Sequence, residues 1–499
     1  MKKFISTLLL LLVSSIGLIR AEAPPDTAWV RVFNRDGSSG SLGHGCVVDT
    51  LRSTTYITGY SSQVSTKSDV LILSLNSSNG QFYDTIAYDD TLHLYEWGYS
   101  SDLDIPGNFL YTSGSAVLND STWLFIKYDL NTGSLLWSKN YAVENSGTSF
   151  AWKARLSNDK NYFYTAGFTN SQVVDGILFK IDAQTGDSLW AKRYACGFDS
   201  IDSFFGLSLG QDDSIVYVCG STSNGFYPVG LVQAYGADGG DSLWSRTYDY
   251  GTPFVVFYDC AIDAARNRLL IAGQEGQRGK LLAIDLTDQD TAWSSTCPGP
   301  ETTYFYCCHL DTSGDYLYAA GVDQSAHDSM QCLVVKCNAA TGDTVWSMRI
   351  LLPNFQYTEI FSCDVDQNND LYLGGRAYDG SAYKMIAIKL NTGVTGVGGK
   401  PGDENFPLSL KLGQCVPNPF ELKTAISYQT RESRRVELKI YNLAGQLVRT
   451  LVDAPQSAGS HVAEWDGRDQ KGGKAKNGVY IVKISSGESI KYGKVLLIR

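Results

Sequence analysis

The 499-residue sequence predicts an all-β protein. Three observations carry the prediction: a tryptophan recurring about every 50 residues, four short strand-like segments in each interval, and polar Gly-containing turns between them. The tryptophans are Trp29, Trp137, Trp190, Trp244, Trp293 and Trp346, the last five spaced by 53, 54, 49 and 53 residues. Their surroundings repeat too. Thr132-Gly-Ser-Leu-Leu-Trp137 is echoed by Thr185-Gly-Asp-Ser-Leu-Trp190, Gly240-Asp-Ser-Leu-Trp244 and Thr341-Gly-Asp-Thr-Val-Trp346. A fixed period of this size means stacked supersecondary units, and residues recurring in every unit are expected to pack one unit on the next.

In the third unit the segments are 152–157, 161–167, 175–182 and 188–194. Tyr162-Phe-Tyr164 and Ile177-Leu-Phe-Lys-Ile181 suit a buried pleated surface. Asn158-Asp-Lys-Asn161 and Gln184-Thr-Gly-Asp187 are turns, with Gly where φ is positive. Four strands per unit of this length describe a propeller blade. Middle strands are expected at 54–59, 109–114, 162–167, 215–220, 268–273, 316–321 and 371–375, giving a seven-bladed β-propeller over residues 22–392. The first blade carries Asp84 where Trp is expected. The seventh stops after 385–389 without a Leu-Trp strand. Asp26-Thr-Ala-Trp29 repeats Asp290-Thr-Ala-Trp293, so strand 26–33 should close the ring and remove two exposed sheet edges.

Residues 1–21 read as a signal peptide. Lys2 and Lys3 precede the apolar run 8–19, which is too short to span a membrane, and cleavage is expected after Ala21. An exported protein without a transmembrane segment follows. Residues 22–410 hold 23 Lys and Arg against 44 Asp and Glu, whereas residues 411–499 hold 15 against 8. That split marks two domains. The acidic part argues against nucleic acid or anionic membrane as partners, since both require a basic face. Residues 393–410 form a Gly-rich linker, and 411–499 read as a small Ig-like β-sandwich with strands 424–428, 436–441, 447–451, 459–465, 478–485 and 491–498.

The tail carries a more specific resemblance. Val416-Pro417-Asn418-Pro419-Phe420, the turn ending at Gly445, Trp465-Asp-Gly-Arg-Asp469 and Gly478-Val-Tyr480 together resemble the type IX secretion sorting domain and its Ig-like relatives in flagellar hook-capping proteins. The resemblance implies a C-terminal address read by outer-membrane export machinery, often removed at the cell surface. Within the repeats, Asp129-Leu-Asn-Thr-Gly-Ser-Leu-Leu-Trp137 and the adjacent Cys307-Cys308 resemble pyrroloquinoline quinone dehydrogenases. That family has eight larger blades and long ligand-bearing insertions; this chain has compact blades, so the likeness is to the scaffold and no cofactor is expected.

Chemistry is sparse. Eleven Cys leave at least one unpaired. Cys46, Cys260, Cys308 and Cys363 share one repeat position on the innermost strand and are expected as small buried side chains. Cys332 and Cys337 should lie on opposite faces of one strand. His44 with Cys46, and Cys307, Cys308 and His309, have ligand types suited to zinc but not its usual spacing, so no metal site is expected. The calcium-like run Asp364 to Asp370 falls at a hairpin turn. Trp97, Trp123 and Trp152, with the stretches 95–99 and 248–258, are the expected exposed aromatic contacts, and no catalytic residue stands out. The reading is a monomeric, non-catalytic binding or adhesion protein at the cell surface or in the medium. Its partners are the export machinery through 411–499 and an extracellular protein or glycan through the propeller. The alternatives are a polymer-degrading hydrolase or lyase, or a quinoprotein-like oxidoreductase.

Overall fold

The repeat motif builds its turn in the same way in successive blades. In the third blade, Asp182 accepts the N–H groups of Gln184 and Thr185 at 2.8 Å through Oδ1, and Gly186 takes a φ of 78°. A Cβ on Gly186 would also lie 2.9 Å from the ring of Trp137, the outer-strand tryptophan of the preceding blade. Asp caps the turn, Gly bends it, and the neighbouring Trp covers it. Trp29 lies on Gly80, Trp190 on Gly240 and Trp293 on Gly342 in the same way. The indoles of Trp29, Trp190 and Trp293 donate to the carbonyls of Ser77, Asp238 and Ala339 at 3.1, 3.0 and 2.9 Å. The recurring ring is therefore an inter-blade contact.

The computed structural model describes residues 25–392 and 411–498 apart from short internal stretches, the longest being 91–94, 197–200 and 298–301. The expected signal segment, its cleavage point at Ala21 and the linker 393–410 lie outside the described residues. The chain divides between Thr395 and Gly396 into two compact units.

The first unit is an all-β propeller of four-stranded antiparallel blades. The third comprises Thr148–Leu156, Tyr162–Asn170, Val174–Asp182 and Ser188–Tyr194. Its middle strands are buried, while the outer strand alternates with period two. Seven such groups are present among the described residues; single parallel bridges, Ser68–Tyr95 and Met330–Tyr357, link two neighbouring pairs. Asp26–Phe33 runs antiparallel to Tyr383–Asn391 as the outer strand of the last group. Each innermost strand packs on the next, and Ser38–Asp49 of the first returns onto Tyr357–Val365 of the last. Asp84, at the Trp position of the first blade, is exposed and exchanges bonds with Ser74.

All seven middle strands begin at the expected residue, but they run two to five residues beyond the glycine expected to end them. The glycine is not a terminator. A Cβ on Gly167 would sit 1.8 Å from the carbonyl oxygen of Phe150 on the innermost strand, and a Cβ on the equivalent glycine of each other blade would fall within 2.2 Å of a carbonyl oxygen. At that level the innermost strand carries a β-bulge in every blade. The glycine makes room for the bulge.

The second unit is a sandwich. One sheet holds Lys411–Val416, Thr424–Thr430 and Gly459–Trp465; the other holds Leu447–Gln456, Arg434–Asn442, Gly478–Ser486 and Ser489–Leu497. The strand Lys411–Val416 was not expected; its residues show no clean apolar alternation, and pairing to Thr424–Thr430 places it. Phe420, Trp465 and Tyr480 are core residues, with Trp465 5.4 Å from Phe420 and 4.9 Å from Tyr480. The Asn418–Pro419 bond is cis, and Asn418 accepts from Leu496 N–H at 2.9 Å, tying the entry segment to the last strand. Gly445 (φ 77°) and Gly478 (φ 150°) occupy backbone conformations that suit glycine. Pro417 lies outside the described residues.

Candidate functional site

The bulge turns one side chain per blade toward the axis. These are His44, Tyr99, Trp152, Phe205, Tyr258, Tyr306 and Phe361, and they touch in a closed cycle. Each ring centroid lies 4.9 to 5.7 Å from the next, His44 meeting Phe361 to complete the circle. This collar bars the channel. The cavity at its centre, about 20 Å³, also touches Ser100, Lys153 and Ser362 and has room for about one water molecule. The space at the collar's centre is too small for a planar redox cofactor. His44 is 8% exposed, and burial, reinforced by Arg376, pushes its pKa down to about 3. Among the described residues its Nε2 has no hydrogen-bond partner.

Below the collar the channel is charged but self-satisfied. Lys153 and Asp259, both buried, pair at 2.7 Å. Asp259 also accepts from Cys308 N–H at 3.1 Å, Asp102 from Leu156 N–H at 2.8 Å, and Asp364 from Val48 N–H at 2.8 Å. Each of these bonds stitches one blade to another. His309 Nε2 lies 3.3 Å from Asp364. The lower mouth widens beside Asp102, Arg155, Asn158 and Lys160 into an open depression of about 600 Å³.

Above the collar, Trp97 and Glu359 precede Tyr99 and Phe361 by two residues on the same strands and so fall on the same face. Trp97 stacks on Tyr95 at 5.7 Å and meets Tyr60 edge-on at 6.3 Å. Arg376 donates through Nε to Glu359 at 2.6 Å and lies over the rings of Phe361 and Tyr383, 5.0 and 4.7 Å from their centroids. Burial works against the Arg376 cation, but Glu359 outweighs it and holds the pKa up. This upper mouth joins aromatic walls to a neutralised ion pair.

Several expected sites fall elsewhere. Of the expected aromatic contacts, Trp97 is at the upper mouth and Trp152 in the collar, but Trp123 is wholly buried and Tyr248 nearly so. Trp123 packs against Phe179 at 5.1 Å because its strand is internal to the blade. Cys46, Cys260, Cys308 and Cys363 are buried in the packing around the blades. Cys307 and Cys308 belong to different cores, as do Cys332 and Cys337. Ten described cysteines have free thiols. In the calcium-like run, Asp366 accepts from Asn368 and Asp370 N–H and from Tyr372, which is turn chemistry. A carboxylate cluster that sequence reasoning missed brings Asp69, Asp89 and Glu96 within 4.8 Å of one another. Arg35 pairs with Asp69, while burial, then Asp89 and Asp69, pushes Glu96 up to about 8.

Two families match parts of the chain. Residues 420–489 match the FlgD Ig-like domain, and residues 120–354 match the outer membrane protein assembly factor BamB. No curated protein matches. Among solved structures, the WD40 repeats of RRP9 are 10% identical, covering 74% of this chain and 99% of that one with a TM-score of 0.47. Kuenenia stuttgartiensis hydrazine synthase is 11% identical over 71% and 96% of the two chains (TM-score 0.48). Quinohemoprotein alcohol dehydrogenase from Comamonas testosteroni is 12% identical over 79% of each (TM-score 0.43). No helix among the described residues is long and apolar enough to cross a membrane. The two family matches and the sheets agree on a propeller with BamB-like repeats over residues 120–354, followed by an Ig-like domain.

Proposed function

We propose that the chain is an exported, non-catalytic binding protein: the propeller binds an extracellular partner through its upper mouth, and the C-terminal sandwich is its address. The observation that carries the binding reading is the collar, which makes the upper mouth a blind, aromatic-lined recess. General acid–base catalysis needs a free carboxyl or imidazole within reach of a substrate. Glu359 is held by Arg376, Asp259 by Lys153, and His44 sits in the collar with its pKa near 3.

The address reading rests on the run from Pro417 to Phe420, the core pair Trp465 and Tyr480, and the match of residues 420–489 to an Ig-like family. In this reading residues 1–21 start export, cleavage follows Ala21, 393–410 are the linker and 411–499 engage the export machinery. The mature monomer then works at the cell surface or in the medium. Terminal peptide mapping of protein recovered from its own host tests the address. A mature form outside the cell that ends near the linker is expected; one ending at Arg499 points to a permanent module. Pull-down on isolated host surface polymer tests binding. The chain should be retained without shortening the polymer, and shortening would favour the hydrolase alternative.

A further inference from the structure

Resting on the binding reading, we infer that the upper mouth takes a neutral sugar residue, stacked on the Trp97–Tyr60 wall and read at adjacent hydroxyls by the Arg376–Glu359 pair. The two walls are contiguous: Tyr60 meets Trp97 edge-on at 6.3 Å and stacks on His44 at 5.8 Å, and His44 in turn meets Phe361, over which Arg376 lies. Among the described residues, the one hydrogen bond of the Arg376–Glu359 pair is Nε to Oε2 at 2.6 Å. The Nη hydrogens of Arg376 and the Oε1 of Glu359 are thus left for a ligand, as donors and acceptor side by side. Vicinal hydroxyls match that pattern, since each both donates and accepts. The C–H face of a sugar ring matches the indole.

The site is preorganised. Arg376 lies over Phe361 and Tyr383, so little side-chain freedom remains to be lost on binding. Beneath it, His44 holds a buried Nε2 with no partner among the described residues. Neutrality of the ligand follows from charge. Glu359 offsets the guanidinium locally, and residues 22–410 carry 44 acidic against 23 basic side chains, a field that repels acidic polymers. The collar floors the recess, so a chain terminus or short branch fits and a polymer passing through does not.

The test uses the full exported chain and immobilised oligosaccharides of glucose, mannose, galactose and N-acetylglucosamine, with oligouronates as the acidic comparison. Binding to at least one neutral set is expected, weakened at least tenfold by Trp97→Ala and by Glu359→Gln. Lys160→Ala, at the opposite mouth, should leave it unchanged. Melting curves of each variant show that the fold is kept, and Arg376→Lys is the milder probe should Glu359→Gln unfold. Binding confined to oligouronates, or strengthened by Glu359→Gln, overturns the neutral-sugar assignment. Retention on host surface material with no oligosaccharide bound overturns this inference but leaves the binding reading standing. Retention on neither overturns both.

Discussion

A methyl group on Gly167 would lie 1.8 Å from the carbonyl oxygen of Phe150, closer than any two such atoms can approach. That contact lets the innermost strand bulge and aims Trp152 at the axis. Gly167→Ala should therefore cost at least about 3 kcal/mol, in the range of severe backbone and core defects. Gly210→Ala is the control, because its nearest neighbour would be an unstrained 3.4 Å away. Urea unfolding of both variants decides the matter; equal midpoints would remove the bulge from the argument.

Ring closure predicts that removing residues 22–34 destabilises the whole propeller rather than one edge. The deletion strips the partner from Tyr383–Asn391 and takes away buried Trp29 with its bond to Ser77. A loss of at least about 4 kcal/mol is expected, as for a buried tryptophan replaced by alanine. Limited proteolysis should cut the truncated chain far faster, and an unchanged melting transition would refute closure by this strand.

His44 predicts a pH dependence. Its pKa is about 3 in the folded chain against 6.5 unfolded, so below pH 6.5 the unfolded state binds a proton that the folded state refuses. Stability is full above that value and falls by up to about 1.4 kcal/mol per pH unit as the pH drops toward 3. His44→Phe keeps a ring in the collar and should flatten this acid limb while changing little at pH 7. Denaturation midpoints at pH 7 and 4.5 measure the difference.

Thiol labelling should separate the cysteines into two classes. Cys196 is exposed and should react in the native protein. Cys46, Cys260, Cys308 and Cys363 are at most 5% exposed, and burial pushes the Cys46 and Cys308 thiols well above 9, which suppresses the reactive thiolate. They should label only after denaturation. Rapid native labelling of these four would place them at an accessible surface.

The sequence made the scaffold legible because its packing device is a single large residue at a fixed period. Trp137, Trp190 and their equivalents repeat with their turns, and the middle strands could be started at the right residue. Their ends could not, because a glycine that admits a bulge reads like one that ends a strand. The collar stayed hidden for a related reason. Its members sit 55, 53, 53, 53, 48 and 55 residues apart, the same period as the tryptophans, but they are one His, three Tyr, one Trp and two Phe. What recurs there is a flat ring rather than a residue type. Trp152 does not share the repeat position of Trp137 and Trp190; it belongs to this second repeat. The Arg376–Glu359 pair gave no sequence cue, since it depends on two neighbouring strands being in register.

The pairing of Asp26–Phe33 with Tyr383–Asn391 has a consequence in time. Trp29 lies in the first strand of the propeller, yet the strand it needs lies more than 350 residues later. Every other blade can form from consecutive chain, whereas the last must wait for the whole ring. Contacts between such distant segments are slow to form, because loop closure costs entropy before any contact repays it. The opening strand is thus held in reserve, and the last blade to be made is the one that decides when the molecule becomes a ring.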